Sequence, residues 1–214
     1  MARKIPQIDF VAIAVRPPHA VAGQRIGVMG GSFNPAHDGH RVVAETALKK
    51  LGLDQVWWVV TPGNPLKSTG GLAPLDERMA QCRRLARGRQ MKVTSFETAL
   101  GTPYTAATLG FLRRRFAGVR FVWIMGADNL ATFHRWQHWR DIAETMPIAV
   151  VDRPGWRLKS LSGEAAQLLA GRRIDEADAV SLATRRPPAW VFLTSRLSPL
   201  SSTALRSAAG RDQP

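Results

Sequence analysis

Two patterns alternate along the chain: compact apolar runs, and longer stretches in which apolar residues return every three or four positions. The runs RIGVM (25–29), QVWWVVT (55–61), MKVTSF (91–96), VRFVWIMG (119–126), PIAVVDR (147–153) and AWVFLT (189–194) predict strands. Between them, DGHRVVAETALKKLG predicts a helix that starts at Asp38 and stops at Gly52. PLDERMAQCRRLAR (74–87) predicts a second, started by Pro74, and YTAATLGFLRRRF (104–116) a third. A short final helix opens in SSTALRSAAG. Strands alternating with helices predict the α/β class, with a doubly wound parallel sheet and right-handed crossovers. No Pro/Gly/Ser-rich linker divides the chain. One domain is therefore expected over 25–210, after an extension at 1–24 carrying Pro6, Pro17 and Pro18 and before a tail at 211–214. That extension is expected to be irregular or packed along the sheet edge. Residues 155–188, polar and bearing Pro and Arg, predict a mobile loop and one helix.

The first strand–helix junction, GVMGGSFNPAHDGH (27–40), carries the densest chemistry. Gly30 and Gly31 predict a tight turn and a backbone that a ligand can approach closely. In an α/β sheet this turn lies at the carboxyl edge, where helix N–H groups receive phosphate. His37 and His40, three apart, fall on one side of the first helical turn and are expected to donate to one bound anion, neutralising charge on a phosphoryl group without becoming covalently attached. A metal site is disfavoured, because no cysteine or third histidine lies nearby to complete a tetrahedral set. The plainer alternative is two histidines in capping contacts at a helix start.

Two further helix starts offer polar groups to the same edge. In MGAD, Gly126 would admit a substrate and Asp128 can accept from ribose hydroxyls, although it could equally cap the next helical turn. In LSSTALR, Ser201, Ser202 and Thr203 precede Arg206, whose guanidinium suits a bidentate phosphate contact; one hydroxyl there would also serve as a cap.

Composition narrows the reading. The chain has 214 residues, and no stretch approaches the roughly 20 apolar residues of a membrane span, nor does the start carry a secretory core. A single cysteine, Cys82, excludes an internal disulfide framework and reads as a helix residue rather than a nucleophile, so the cytoplasm is the expected compartment. The net charge of +14 raises nucleic-acid binding as a rival function. Its arginines, however, are scattered (Arg83, Arg84, Arg87, Arg89; Arg113 to Arg115; Arg172, Arg173; Arg185, Arg186) without interleaved aromatics or a reader motif, and solvated faces account for most of them. Neither GxGxxG nor GxxxxGK(S/T) is present.

Six ordered segments carry a family resemblance: GGSFNPAHDGH (30–40), TPGNPLK (61–67), YTAATL (104–109), MGADNLATFHRW (125–136), DRPG (152–155) and LSSTALR (200–206). In this order the chain resembles the nucleotidyltransferases with an (H/T)xGH signature and, within them, the bacterial nicotinate-nucleotide adenylyltransferases. One departure is Asn34, where the family usually has Asp. The resemblance implies a Rossmann-like fold and adenylyl transfer from ATP to nicotinate mononucleotide, giving deamido-NAD and pyrophosphate in NAD biosynthesis. It implies that His37, His40 and Arg206 are catalytic, and that ATP also meets Gly30, Gly31, Ser32, Phe33, Gly126, Asp128, Ser202 and Thr203. For the mononucleotide it implies Asn64, Tyr104 and Thr105, with Lys67 and Arg153 holding the phosphate and Trp136 stacking on the pyridine ring. Trp136 and its neighbour Trp139 could both instead be core, and His134 and Arg135 are left without a role. Mg²⁺ would arrive with ATP, with no metal ligand assigned to the protein. The expected partners are these small molecules, with a homo-oligomer left open and neither membrane nor nucleic acid expected. The rival acceptors are nicotinamide mononucleotide and phosphopantetheine; the segments at 61–67 and 125–136 argue against the latter.

Overall fold

The computed structural model describes residues 16–62, 71–101 and 104–195. Each of the six apolar runs is a strand of one parallel sheet, which a seventh strand, β6, joins: β1 Arg25–Gly31, β2 Gln55–Val60, β3 Met91–Thr94, β4 Arg120–Gly126, β5 Ile148–Val151, β6 Arg173–Ile174 and β7 Trp190–Leu193. The spatial order is β3-β2-β1-β4-β5-β7-β6, and every adjacent pair is parallel. The chain leaves β1 outward to β2 and β3 and then returns to β4 on the other side. The order therefore reverses between β1 and β4, where α/β folds open a crevice at their carboxyl ends.

The runs lack a polar side because both faces of the sheet are covered. Ile26, Val28, Trp57, Val59, Trp123, Met125 and Val150 face one core, shared with Leu109 and Leu112 of α4 (Thr105–Arg115), Ile142 of α6 (Trp139–Thr145) and Ala165 of α8 (Glu164–Leu168). Met29, Val56, Trp58, Val60, Val122, Ile124 and Val151 face the other. There they meet Val43, Ala44 and Ala47 of α1 (Asp38–Lys50), Met79 and Cys82 of α2 (Leu75–Leu85), and Leu182 of the 3₁₀ turn Glu176–Thr184. Cys82 is fully buried and its thiol is pushed up to about 12 by that burial, which leaves it protonated and unreactive.

Several expectations need correction. Pro74 is the N-cap of α2, not its first helical residue, and the helix ends at Leu85. Residues 155–188 are not a loop with one helix. They form α7 (Arg157–Leu161), α8, two 3₁₀ turns and β6, a strand paired with β7. Three short elements, α3 (Glu97–Leu100), α5 (Ala127–Leu130) and the 3₁₀ turn Phe133–Arg135, fall where no periodicity marked them. Within the extension, residues 16–24 contain no helix or strand, and the Arg16 carbonyl accepts from Thr94 Oγ1 of the edge strand β3 at 3.2 Å.

Candidate active site

At the carboxyl end of β1 the two histidines cap the first turn of α1 through backbone N–H groups. His37 is the N-cap of α1, with an extended backbone (φ −150°, ψ 168°), and its Nδ1 accepts from the Gly39 N–H at 3.0 Å. His40 Nδ1 accepts from the His37 N–H at 3.2 Å, closing a reciprocal capping box in which histidines replace the usual hydroxyl and carboxylate. Capping and anion binding are therefore compatible readings of this pair. A neutral ring whose Nδ1 accepts must carry its proton on Nε2, so the caps set both rings as Nε2–H donors. The rings lie 3.9 Å apart, as the spacing of three requires. His37 is only 4% exposed, and its Nε2 has no partner among the described residues. Burial, and next the nearby Arg153 guanidinium, hold its pKa down to about 4 against the opposing pull of Asp128 and Asp38.

The glycines serve a different purpose from the one expected. Gly30 and Gly31 lie inside β1, and neither has positive φ. A Cβ on Gly30 would sit 2.6 Å from Cη2 of Trp123, so the space is taken by the core rather than left to a ligand. The turn instead falls on Phe33, which is buried at φ 46°, a left-handed conformation that costs a residue with a Cβ. Its ring is held from both sides, 5.5 Å from Trp58 and 4.9 Å from His40. Gly126 likewise does not open a path for substrate, since its missing Cβ would lie 2.4 Å from Asp128 Oδ1 and 2.9 Å from Arg153 Cδ.

That space belongs to an ion pair. Arg153 Nη1, just past β5, donates to Asp128 Oδ2, just past β4, at 2.9 Å, although the sequence assigned these residues to different substrates. Arg153 Nη2 reaches the first turn of α1, where a Cβ on Gly39 would meet it at 2.9 Å and the His37 ring at 2.8 Å. Three ends of the sheet thus bring His37, Asp128 and Arg153 together. Each keeps one buried polar atom without a partner among the described residues: Nε2, Oδ1 and Nη2. Buried polar atoms are rarely left so, and together they offer a donor, an acceptor and a cation to a ligand.

Trp136 is half-buried and packs edge-to-face on Trp123 (6.4 Å) and Phe133 (5.5 Å), whereas Trp139 is buried at 7% exposure and belongs to the core. Trp123 thereby links Trp136 to Gly30. Tyr104 is the N-cap of α4 but its side chain makes no capping bond, and Thr105 opens the helix. Asn64, Lys67, Ser202, Thr203 and Arg206 lie outside the described residues. Among those described, no three His, Cys, Asp or Glu side chains gather to hold a metal ion.

Sequence reading missed Gly39, which makes room for the His37 and Arg153 side chains, and two buried charges. Glu97 accepts from Thr108 Oγ1 at 2.6 Å, and Arg78 is 1% exposed. A signal existed for Arg78: with Leu75, Met79 and Cys82 it lies on the apolar stripe of α2, where a solvated arginine has no place.

The model of the cytidylyltransferase-like family matches residues 28–208. A protein of Rhizobium meliloti named "Probable nicotinate-nucleotide adenylyltransferase" is 61% identical over 183 residues, covering 86% of this chain and 97% of the relative. Relatives of the same name from Agrobacterium fabrum (58% over 182 residues, 85% and 97%) and Methylorubrum extorquens (60% over 183 residues, 86% and 99%) are similar over the same extent. The fold is shared with a solved structure, Plasmodium falciparum nicotinic acid mononucleotide adenylyltransferase complexed with NaAD, at TM-score 0.63 and 15% identity over 86% of this chain and 83% of that one. Among the described residues no helix is long and apolar enough to cross a membrane. On this extent of identity, the chain belongs to the nicotinate-nucleotide adenylyltransferases of the cytidylyltransferase-like family.

Proposed function

We propose that this enzyme joins ATP to nicotinate mononucleotide. A 5′-phosphate oxygen of the mononucleotide attacks the α-phosphorus of ATP in line, a new P–O bond forms, the bond to the bridging α–β oxygen breaks, and pyrophosphate leaves with deamido-NAD as product. The attacking phosphate is already ionised at neutral pH, so neither a protein nucleophile nor a general base is needed, and catalysis is positioning plus charge stabilisation. The observation that carries this reading is the junction of β1 and α1, where each histidine is capped through Nδ1 so that Nε2–H is its donor, with His37 buried beside Arg153. A neutral imidazole there adds a hydrogen bond to phosphoryl oxygens without bringing a mobile proton that the reaction does not use.

The roles follow from this placement. His37 and His40 donate to the triphosphate, joined by Arg206, with Ser32, Phe33, Ser202 and Thr203 around it. Asp128 Oδ1 takes a ribose hydroxyl. Gly30, Gly31 and Gly126 act by letting Trp123, Phe33 and the Asp128–Arg153 pair stand where they do. Arg153 lies close enough to His37 to contact both the attacking phosphate and the triphosphate, while Lys67 and Asn64 hold the mononucleotide. Trp136 stacks on the pyridine ring, and Tyr104 and Thr105 present the first-turn N–H groups of α4 to its carboxylate. Mg²⁺ would come with the triphosphate, with no protein ligand assigned to it, and would offset charge on the departing pyrophosphate. We place the reaction in the cytoplasm; self-association is a separate property, read by sedimentation.

Incubating the purified protein with ATP, Mg²⁺ and nicotinate mononucleotide tests the reading. Equimolar pyrophosphate and deamido-NAD are expected. ATP consumption that releases orthophosphate, or no dinucleotide, would refute it.

A further inference from the structure

Arg78 is almost wholly enclosed, and its partners among the described residues are all backbone carbonyls. Nε donates to Ala73 at 2.8 Å, Nη1 donates to Ser32 and to Thr61, both at 2.8 Å, and Nη2 reaches Pro62 at 3.4 Å. Burial lowers its pKa, as it must for a cation without a carboxylate beside it. Burying a guanidinium on carbonyls alone is a poor way to stabilise a core, since an apolar side chain of similar volume would fill the space without desolvating a charge. What the guanidinium adds is geometry: a rigid planar fork with donors in fixed directions, able to hold several chain segments at set separations.

The segments it holds are informative. Ser32 ends the β1 side, the turn assigned above to ATP. Thr61 and Pro62 end the β2 side and directly precede Asn64 and Lys67, assigned above to the mononucleotide. Ala73 leads into α2. The same joint is reinforced by Asn34, which donates to the Gly71 carbonyl at 2.8 Å and accepts from the Ala73 N–H, and by Gln81, which accepts from the Ala36 N–H at 3.2 Å. We infer that Arg78 is a positioning residue for both substrates, holding the ATP-side turn after β1 and the acceptor-side turn after β2 in the shapes that bind them. This rests on the proposed assignment of those two turns to the two substrates.

Kinetics on Arg78→Lys and Arg78→Ala test it, beside the unmodified protein. If the unmodified protein makes no dinucleotide, the functional reading fails and not this inference. Given an active parent, Arg78→Ala assayed well below its melting temperature should raise KM for ATP and for nicotinate mononucleotide together, each by about tenfold or more, with a smaller fall in kcat. Low-millimolar guanidinium should restore part of the loss by occupying the vacated fork. Arg78→Lys keeps the charge but not the fork and should show the same paired rise. A lowered melting temperature with both KM values unchanged, or a rise in one KM alone, would overturn the inference. If neither variant folds, hydrogen exchange on the unmodified protein decides: nicotinate mononucleotide alone should slow exchange in a peptide covering residues 28–36, which stops short of the Arg153 contact at Gly39, and no cross-protection there would overturn it.

Discussion

At the scale of single residues, the chemistry depends on which nitrogen of each histidine is occupied. Capping through Nδ1 makes His37 a neutral Nε2–H donor, and its low pKa keeps it so through the physiological range. Long-range ¹H–¹⁵N spectra should therefore show His37 as the Nε2–H tautomer down to about pH 5, well below the ordinary histidine midpoint; an imidazolium at pH 6 would contradict this. Folding linkage gives the matching sign. The folded-state pKa is depressed, so the contribution is fully present above pH 6.5 and is lost as pH falls toward 4, amounting to about 3 kcal/mol at most. Denaturant midpoints should fall across that window, and less so in His37→Asn. For His40→Ala, loss of one donor to the transition state should cost about 10²-fold in kcat in a protein that still folds. An unchanged kcat removes it from the chemistry. Gly39→Ala should reduce kcat/KM sharply, because a Cβ would strike the His37 ring and Arg153 Nη2. The histidine pair was legible in the sequence because spacing alone fixes a shared helix face. The Asp128–Arg153 pair was not, since residues 25 apart in sequence meet only through the crossover from β4 to β5.

At the scale of elements, Trp136 and Glu97 separate binding from support. Trp136 meets its aromatic neighbours edge-to-face and keeps part of its surface exposed, so Trp136→Ala should raise KM for the mononucleotide by about tenfold, taking one stacking contact as roughly 1–1.5 kcal/mol, with kcat little changed. Failure to fold would make it a core residue instead. Glu97, in the short α3, braces α4 through Thr108, and burial raises its pKa despite that hydrogen bond. A carboxyl whose folded pKa is raised favours the folded state below its unfolded pKa and loses that advantage as pH rises through the folded value. Glu97→Gln, which keeps an acceptor for Thr108, should therefore raise the melting temperature at pH 7.5 and converge with the parent near pH 4. Six strands could be read from the chain because each is an unbroken apolar run, even at the four residues of β3, β5 and β7, and three helices because 11 or 13 residues let their period show. Helices of four or five residues, such as α5 and α7, are too short to carry a period, and β6, at two residues, carries no apolar run. The turn after β1 was misread for a related reason. Glycine marks permissive backbone, but here packing against Trp123 claims Gly30, and the left-handed residue is Phe33, pinned by neighbours 25 residues and 7 residues away in the chain, Trp58 and His40.

At the scale of the molecule, the sheet reverses between β1 and β4 and brings the polar ends of β1, β4 and β5 together, which is why motifs spread along the sequence can act at one site. The net charge of +14 suits anionic nucleotides through steering and requires no polymer ligand. Binding to random DNA tighter than binding to ATP at the same salt would contradict that view. Specificity for the acceptor lies in its pyridine substituent. Nicotinate and nicotinamide have nearly the same shape, but in the proposed site the first-turn N–H groups of α4 donate to the two carboxylate oxygens, while the amide would turn its NH₂ toward a donor. An opposed buried polar group costs about 1–3 kcal/mol, and losing a charge-assisted hydrogen bond adds to this. The decisive measurement is kcat/KM for nicotinate mononucleotide and nicotinamide mononucleotide at one ionic strength. A preference for the acid of about 10²-fold or more is expected, and comparable values for the two acceptors would contradict the assignment of the acceptor while leaving adenylyl transfer in place.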